Sequence, residues 1–429
     1  MKKYSLNLLF VLWASALFAQ AGHIMQGIGT VNMSMGGAAT AQPLDINGAL
    51  HWNPAGISVF DQTVLSVNAG LFFSSPELAS TVPTPQGPFS GITKDDRGVS
   101  VMPNLAMVFG KADSKHTFGV SAFGISGFGV TFPESMTNPI NMPQSQGGFG
   151  RIESDYFLLQ VGLTYAYELS ENLSIGLAPT FNYAALEMAP NPLASPSMTL
   201  GYPVTNKAGA FGYGAQVGVF FQADNGFKLG ASYKSPQFFS DFDFENTYLD
   251  GSPAPNVKFN MDYPAMYSAG LGYSNDLLDL ALDYRYVDYA NTHGFKASGW
   301  TQTASVAGFG WDNISIVSAG VQLKAIDRLP LRAGYTYSTN PINENLAFFS
   351  TPATAVIKHA FQFGLGFEAS QKLTINATYH HGTSGGDTSG QLLSPMMISE
   401  GNPLGKIPDS EVSYNMTTDM FILGVNFAF

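Results

Sequence analysis

The run YHHGTSGGD, residues 379–387, holds the densest set of catalytic side-chain types in the chain: His380, His381, Ser384 and Asp387. A histidine that takes a proton from a serine hydroxyl, oriented by a carboxylate, would perform acyl transfer or ester hydrolysis. The flanking residues read as a strand, so the two histidines face opposite sides and only one can serve a given site. A histidine at a membrane interface accounts for the same run, and no catalytic residue is assigned. The seven histidines show no HExxH or comparable spacing and there is no cysteine, so no metal ligands and no cofactor are expected either. A second kind of chemistry, recognition of an anionic group, is open to the cations Lys234, Arg285, Arg332 and Lys358. Each falls on the polar face of an alternating segment, where it meets either a cargo carboxylate or an acid such as Asp279, Asp283 or Glu368. Lys234 and Arg285 are the expected substrate contacts among them.

Positioning these groups requires strands, and the chain supplies them. From residue 62 onward fourteen segments alternate apolar and polar residues, as in Phe157, Leu159, Val161, Leu163, Tyr165 and Tyr167 against Gln160, Gly162 and Thr164. Another is read through NVKFNMDYPAMYSAGLGY, with Val257, Phe259, Met261, Tyr263, Ala265 and Tyr267 on one side. Period-two alternation over about ten residues is the pattern of a strand that faces lipid on alternate positions. Charged residues are only 12%, about half the usual share, while 13% are aromatic and no run is long enough for a spanning helix. Short links such as ELSEN and ADNGF alternate with long ones near 74–96, 133–154, 188–207, 246–255, 291–310, 341–354 and 383–413. The expected fold is therefore all-β: a 14-stranded antiparallel transmembrane barrel over residues 62–429 of a Gram-negative outer membrane. The final FILGVNFAF would close it, its terminal Phe429 suiting recognition by the outer-membrane assembly machinery. Lipopolysaccharide is the expected surrounding, and a monomer the expected state. The net charge of −12 argues against a nucleic-acid partner.

Residues 1–20 read as a secretory signal peptide, with Lys2 and Lys3 ahead of an apolar run and small residues at the cleavage zone. Residues 21–61 contain no alternating segment. A fourteen-stranded barrel is too wide for side chains alone to fill, so this segment is expected to fold inside it as a hatch. Glycines at 27, 29, 36, 37, 48 and 56 suit a compact irregular backbone, and Asn53-Pro54 sets a tight turn.

The start AGHIMQGIGTVNMSMGGAAT…GALHWNPAGIS resembles the mature start of the FadL family, outer-membrane transporters of long-chain fatty acids with TodX-type aromatic-hydrocarbon members. VKFNMDYPAMYSAGLGY, LDLALDYRYVDY, LPLRAGYTYS and FQFGLGFEASQKLTINATYHH extend the resemblance over essentially the whole mature chain. It implies a hatch carrying the triplet Asn53, Pro54 and Ala55, with a ligand contact at its start. There His23 departs from the aromatic third residue common in fatty-acid members. It also implies a lateral gap at an inward kink of the third wall strand. In the third segment, HTFGVSAFGISGFGVTF, the phase of alternation slips after Ala122 and again near Gly127. Ala122, Phe123, Gly124, Gly127 and Gly129 are thus the expected kink.

A side exit suits hydrophobic small molecules, because a polar solute would enter hydrocarbon without hydrogen-bond partners. Met188, Leu193, Met198 and Leu200, with Phe238, Phe239, Phe242 and Phe244, fall in expected extracellular loops and would receive such cargo. The expected function is passive transport of fatty acids or aromatic hydrocarbons. A general diffusion porin, or less readily a lipid hydrolase, is the alternative; the porin predicts a charged constriction and no insert.

Overall fold

In the computed structural model, residues 22–429 are described; the expected signal peptide and its cleavage zone lie outside the described residues. Among the described residues, fourteen antiparallel strands close into a barrel. They are β1 Thr63–Val82, β2 Val99–Phe109, β3 His116–Phe132, β4 Ile152–Ser170, β5 Leu173–Ala189, β6 Ala208–Gln222 and β7 Phe227–Lys234. The others are β8 Ala265–Ser274, β9 Leu278–Asp288, β10 Ile314–Leu323, β11 Leu331–Ser338, β12 His359–Ser370, β13 Leu373–Thr383 and β14 Glu411–Ala428. Closure is by β1 against β14, in register from Val64↔Ala428 to Thr81↔Glu411. Outward residues such as Val67, Leu71, Leu163, Leu229, Leu271 and Leu423 are exposed, as lipid contact requires. The alternate positions turn inward and carry the polar side chains.

Three stretches depart from the sequence reading. The link expected at 74–96 is largely strand: β1 runs on to Val82 and pairs with an outer strand, Phe89–Lys94. The alternation read through residues 257–267 belongs to two elements. Pro253–Phe259 pairs with Phe242–Thr247 in a small outer sheet, and the wall resumes only at Ala265. Pro264 cannot donate to a ladder, which breaks the run; Met261 and Tyr263 are buried within the molecule. Met188 lies on β5 and is buried, so the loop expected from residue 188 begins after Ala189.

Residues 22–57 are buried almost without exception, in two short helices, α1 Gly29–Ser34 and α2 Ile46–Trp52, followed by a 3-10 turn, Pro54–Val59. Asp45 starts α2 by accepting from the Gly48 N–H, and Asn53 starts the next turn by accepting from Ala55 N–H, with Pro54 in its favoured first position. Hydrogen bonds tie this segment to strands all round the barrel. Thr30 donates to Asn68 of β1, Gln216 of β6 and Ser232 of β7 donate to the Trp52 carbonyl, and Thr336 of β11 donates to the Gly36 carbonyl. On β13, Thr378 donates to the Thr30 carbonyl. The wall makes room where the segment presses closest. A Cβ at Gly218 would fall on Asn53 Oδ1 and one at Gly176 on Ala55 N, so glycine is required at both for the Asn53-Pro54 turn to reach the sheet.

Candidate transport site

The third wall strand departs from the regular ladder. β2 and β3 pair from Phe109↔Phe118 to Asn104↔Phe123, and there their pairing stops. β2 continues to Val99 against β1 alone, and β3 continues to Phe132 against β4 alone. A window thus opens between residues 99–103 and 124–129. The cause is one register shift, between Gly124 and Ser126. Alternation runs on through Phe123, past the slip expected after Ala122. Phe123 points inward into the apolar core, its ring 6.2 Å from that of His51. From Ser126 to Phe132 the β3–β4 register is continuous, so the second expected slip, near Gly127, is not a register change.

The N-terminal residues fill the place that β2 leaves. Ile24 bridges Ser126, Met25 N–H donates to the Ile125 carbonyl at 3.1 Å, and Gly127 N–H donates to the His23 carbonyl at 3.2 Å. The Ser126 hydroxyl donates to the same carbonyl at 2.9 Å. His23 then sits among six rings, those of Phe128, Tyr156, Tyr263, Tyr289, Phe295 and Trp311, with centroids 5.0–6.4 Å away. Its Nδ1 meets the Tyr289 hydroxyl at 2.8 Å, while Nε2 is buried and unpartnered. At the window lies a cavity of about 580 Å³, bordered by Gly22, Met25, Met102, Phe128 and Tyr156 and also by the charged Arg97, Asp155, Glu187 and Lys207.

Beneath the cage is a group of donors. Lys234 and Arg285, each 1% exposed, project inward from β7 and β9, with β8 between them. Arg285 donates to Asp283 at 2.6 Å and to the Gly37 carbonyl at 2.6 Å. Lys234 meets Gln160 Oε1 at 3.2 Å and no carboxylate among the described residues. The Tyr263 hydroxyl, Arg285 Nε and both His51 ring nitrogens are buried without a partner. Arg332 hydrogen-bonds Gln322 and Asn376 instead of facing this group.

A scan against family models matches residues 11–394 to the outer membrane protein transport protein family, OMPP1/FadL/TodX. The chain belongs to that family. Solved structures agree on the FadL/TodX fold. A Pseudomonas aeruginosa FadL homologue superposes with a TM-score of 0.73 at 14% identity, covering 95% of this chain and 100% of that one. The Pseudomonas putida toluene transporter TodX gives 0.68 at 17% identity over 94% and 99%. The Ralstonia pickettii toluene transporter TbuX gives 0.63 at 15% over 94% and 99%. No curated protein sequence matches the chain. Family membership makes this an outer-membrane transport protein.

Of the expected loop contacts, Met198 is 97% exposed and Leu200 and Phe238 are also exposed. Leu193 is half-buried, Phe239 is buried, and Phe242 and Phe244 are buried side chains of the outer sheet itself. The outer loops pack on one another: Trp300 donates to the Leu404 carbonyl, and Tyr202, its pKa pushed up to about 12 by burial, donates to the Ala304 carbonyl. The residues weighed above as a nucleophile set, His380, His381, Ser384 and Asp387, do not assemble into one. Ser384 donates to no imidazole and instead accepts from Met416 N–H. His381 points outward to Asp419 at 2.9 Å, and His380 points inward to Gln362 at 3.4 Å. Sequence reasoning missed Tyr263, Tyr289, Phe295 and Trp311. Phe295, Trp300 and Phe309 in the long link 291–310, with Trp311 just after it, were the available signal for part of the cage; Tyr263 and Tyr289 gave none.

Proposed function

We propose that the chain carries hydrophobic small molecules passively across the outer membrane and releases them sideways through the β2–β3 window. Residues 21–61 act as the hatch, closing the axial route. The observation that carries this reading is the end of β2–β3 pairing at Asn104↔Phe123, beside the cavity that reaches the His23 cage. Cargo caught by the exposed loop tip at Met198 and Leu200 moves inward to the aromatic cage, then through the window into hydrocarbon. Each buried methylene gains about 0.8 kcal/mol, so the apolar surroundings need no energy source. TodX and TbuX are toluene transporters, which supports apolar cargo here.

The donors at Lys234, Arg285, Tyr263 and His51 favour a cargo with an anionic head. A bare hydrocarbon would leave the buried Lys234 amine with Gln160 Oε1 as its hydrogen-bond partner and the Tyr263 hydroxyl with none, and buried polar groups without partners are costly. A carboxylate with its chain towards the cage would meet both. Uptake by proteoliposomes of oleate, toluene and a small sugar tests the reading. Oleate and toluene should enter faster than through empty vesicles, oleate the more selectively. Sugar flux above lipid flux would replace the reading with a diffusion porin.

A further inference from the structure

The window is bounded at its outer end by a clasp made of residues 95–97. Asp96 N–H donates to the Thr131 carbonyl at 2.8 Å, and the Asp95 carboxylate accepts from the Thr131 N–H at 2.5 Å. The chain just ahead of β2 is thereby held against the far end of β3. Arg97 goes further. Its guanidinium crosses the outward face of β3 and reaches Asp155 of β4 at 2.5 Å. It can do so because residue 129 is glycine: a Cβ there would fall on Arg97 Nη1. Asp155 is shared with Lys207, which also meets Glu187 of β5 at 3.6 Å. Arg97 and Asp155 are 21% and 32% exposed. Ion pairs this exposed are weak and weaken further with salt, so the clasp is suited to opening as well as closing.

We propose that Arg97 is the closing bar of the lateral window, setting its width through its ion pair with Asp155. Opening widens the gap already left between β2 and β3 over residues 99–103, which strand pairing does not span and which the Asp95 and Asp96 bonds to Thr131 continue to tether at its outer end. The bar stands on geometry alone; its effect on cargo rests on lateral release as proposed above. The bar therefore sets the size of solute that escapes, and removing it admits bulkier apolar molecules.

The test uses spin labels on cysteines at Val101 of β2 and Phe157 of β4, both lipid-facing and exposed, in a chain with no native cysteine. In nanodiscs the inter-label distance is measured for the otherwise native protein, Arg97→Ala, Asp155→Asn and Gly129→Ala. The glycine variant removes no charge but displaces the guanidinium, and because its Cβ would also stand 2.7 Å from the Ser154 carbonyl it is read together with Arg97→Ala. All three are expected to give a longer, broader distribution. The native protein should approach it in 1 M KCl, where the Debye length falls to about 3 Å, whereas Arg97→Ala should ignore salt. Unchanged distances in Arg97→Ala and Gly129→Ala would overturn the bar, whatever their uptake. Proteoliposome uptake of pyrene relative to toluene is expected to rise several-fold in the same variants. Widened distances with an unchanged ratio would uphold the bar and count against lateral release.

Discussion

The guanidinium carbon of Arg285 lies 3.6 Å from the centre of the Trp52 ring. One residue belongs to the wall and the other to the interior segment, and the contact is backed on both sides. Trp52 Nε1 donates to Asn32 at 3.0 Å, and Asp283 accepts from Arg285 and from the N–H groups of Ala39 and Thr40. The stack alone is worth about 2 kcal/mol when desolvated. Replacing Arg285 by Met removes it and leaves Asp283 as a buried acid without its cation, a loss of about 3–5 kcal/mol. That loss should fall on the interior segment. Limited proteolysis should cut within residues 22–59 at a raised rate, while the folded barrel keeps its heat-modifiable mobility on gels.

Deleting residues 23–55 should raise single-channel conductance sharply, because this buried segment is bonded to inward side chains on strands all round the barrel. Planar-bilayer recording reads this directly. Native-like conductance in the deletion variant would remove the occluding role from the segment.

Lys234→Met and Tyr263→Phe separate the two cargo classes. A hydrogen bond to a charged group contributes about 1.5–3 kcal/mol, and about 1.4 kcal/mol is tenfold in binding. Lys234→Met should therefore weaken oleate binding by at least about tenfold, with Tyr263→Phe weaker in effect. Toluene binding should be unchanged in both. Calorimetry or fluorescent-fatty-acid displacement in detergent makes the comparison, and equal losses for both ligands would tie these residues to packing alone.

Gly127→Val probes the inner edge of the window. A Cβ at 127 stands 3.0 Å from the Tyr156 carbonyl, and the branched side chain would crowd the edge that receives the His23 carbonyl. Uptake of hydrophobic solute should slow several-fold with assembly intact. Unaltered uptake by an assembled variant would speak against an exit at this edge.

Much of the architecture was legible because a lipid-facing sheet imposes a period of two on its sequence. Strand β4, for instance, announces itself residue by residue. Where an inward position also meets apolar matter, the period persists for another reason and misleads. Met261 and Tyr263 continued the pattern of a wall strand while facing a packed interior, and Phe123 blurred the site of the bulge by pointing at His51. The triplet Asn53-Pro54-Ala55 marked a turn, but not the two wall glycines that admit it. Asp95 stands at the end of the link read over 74–96 and Arg97 just past it, and no local spacing ties them to Thr131 or Asp155. The His23 cage likewise gathers residues from four distant parts of the chain, a juxtaposition that only the closed barrel creates.

Hydrocarbon penalises bare peptide groups, so a sheet with a missing neighbour ordinarily invites a foreign strand. Here the seam at β3 has been mended from within, since residues 23–25 supply the partner that the cylinder withholds. The breach can therefore lie open to oily molecules while offering little adhesive edge to another copy drifting past in the membrane.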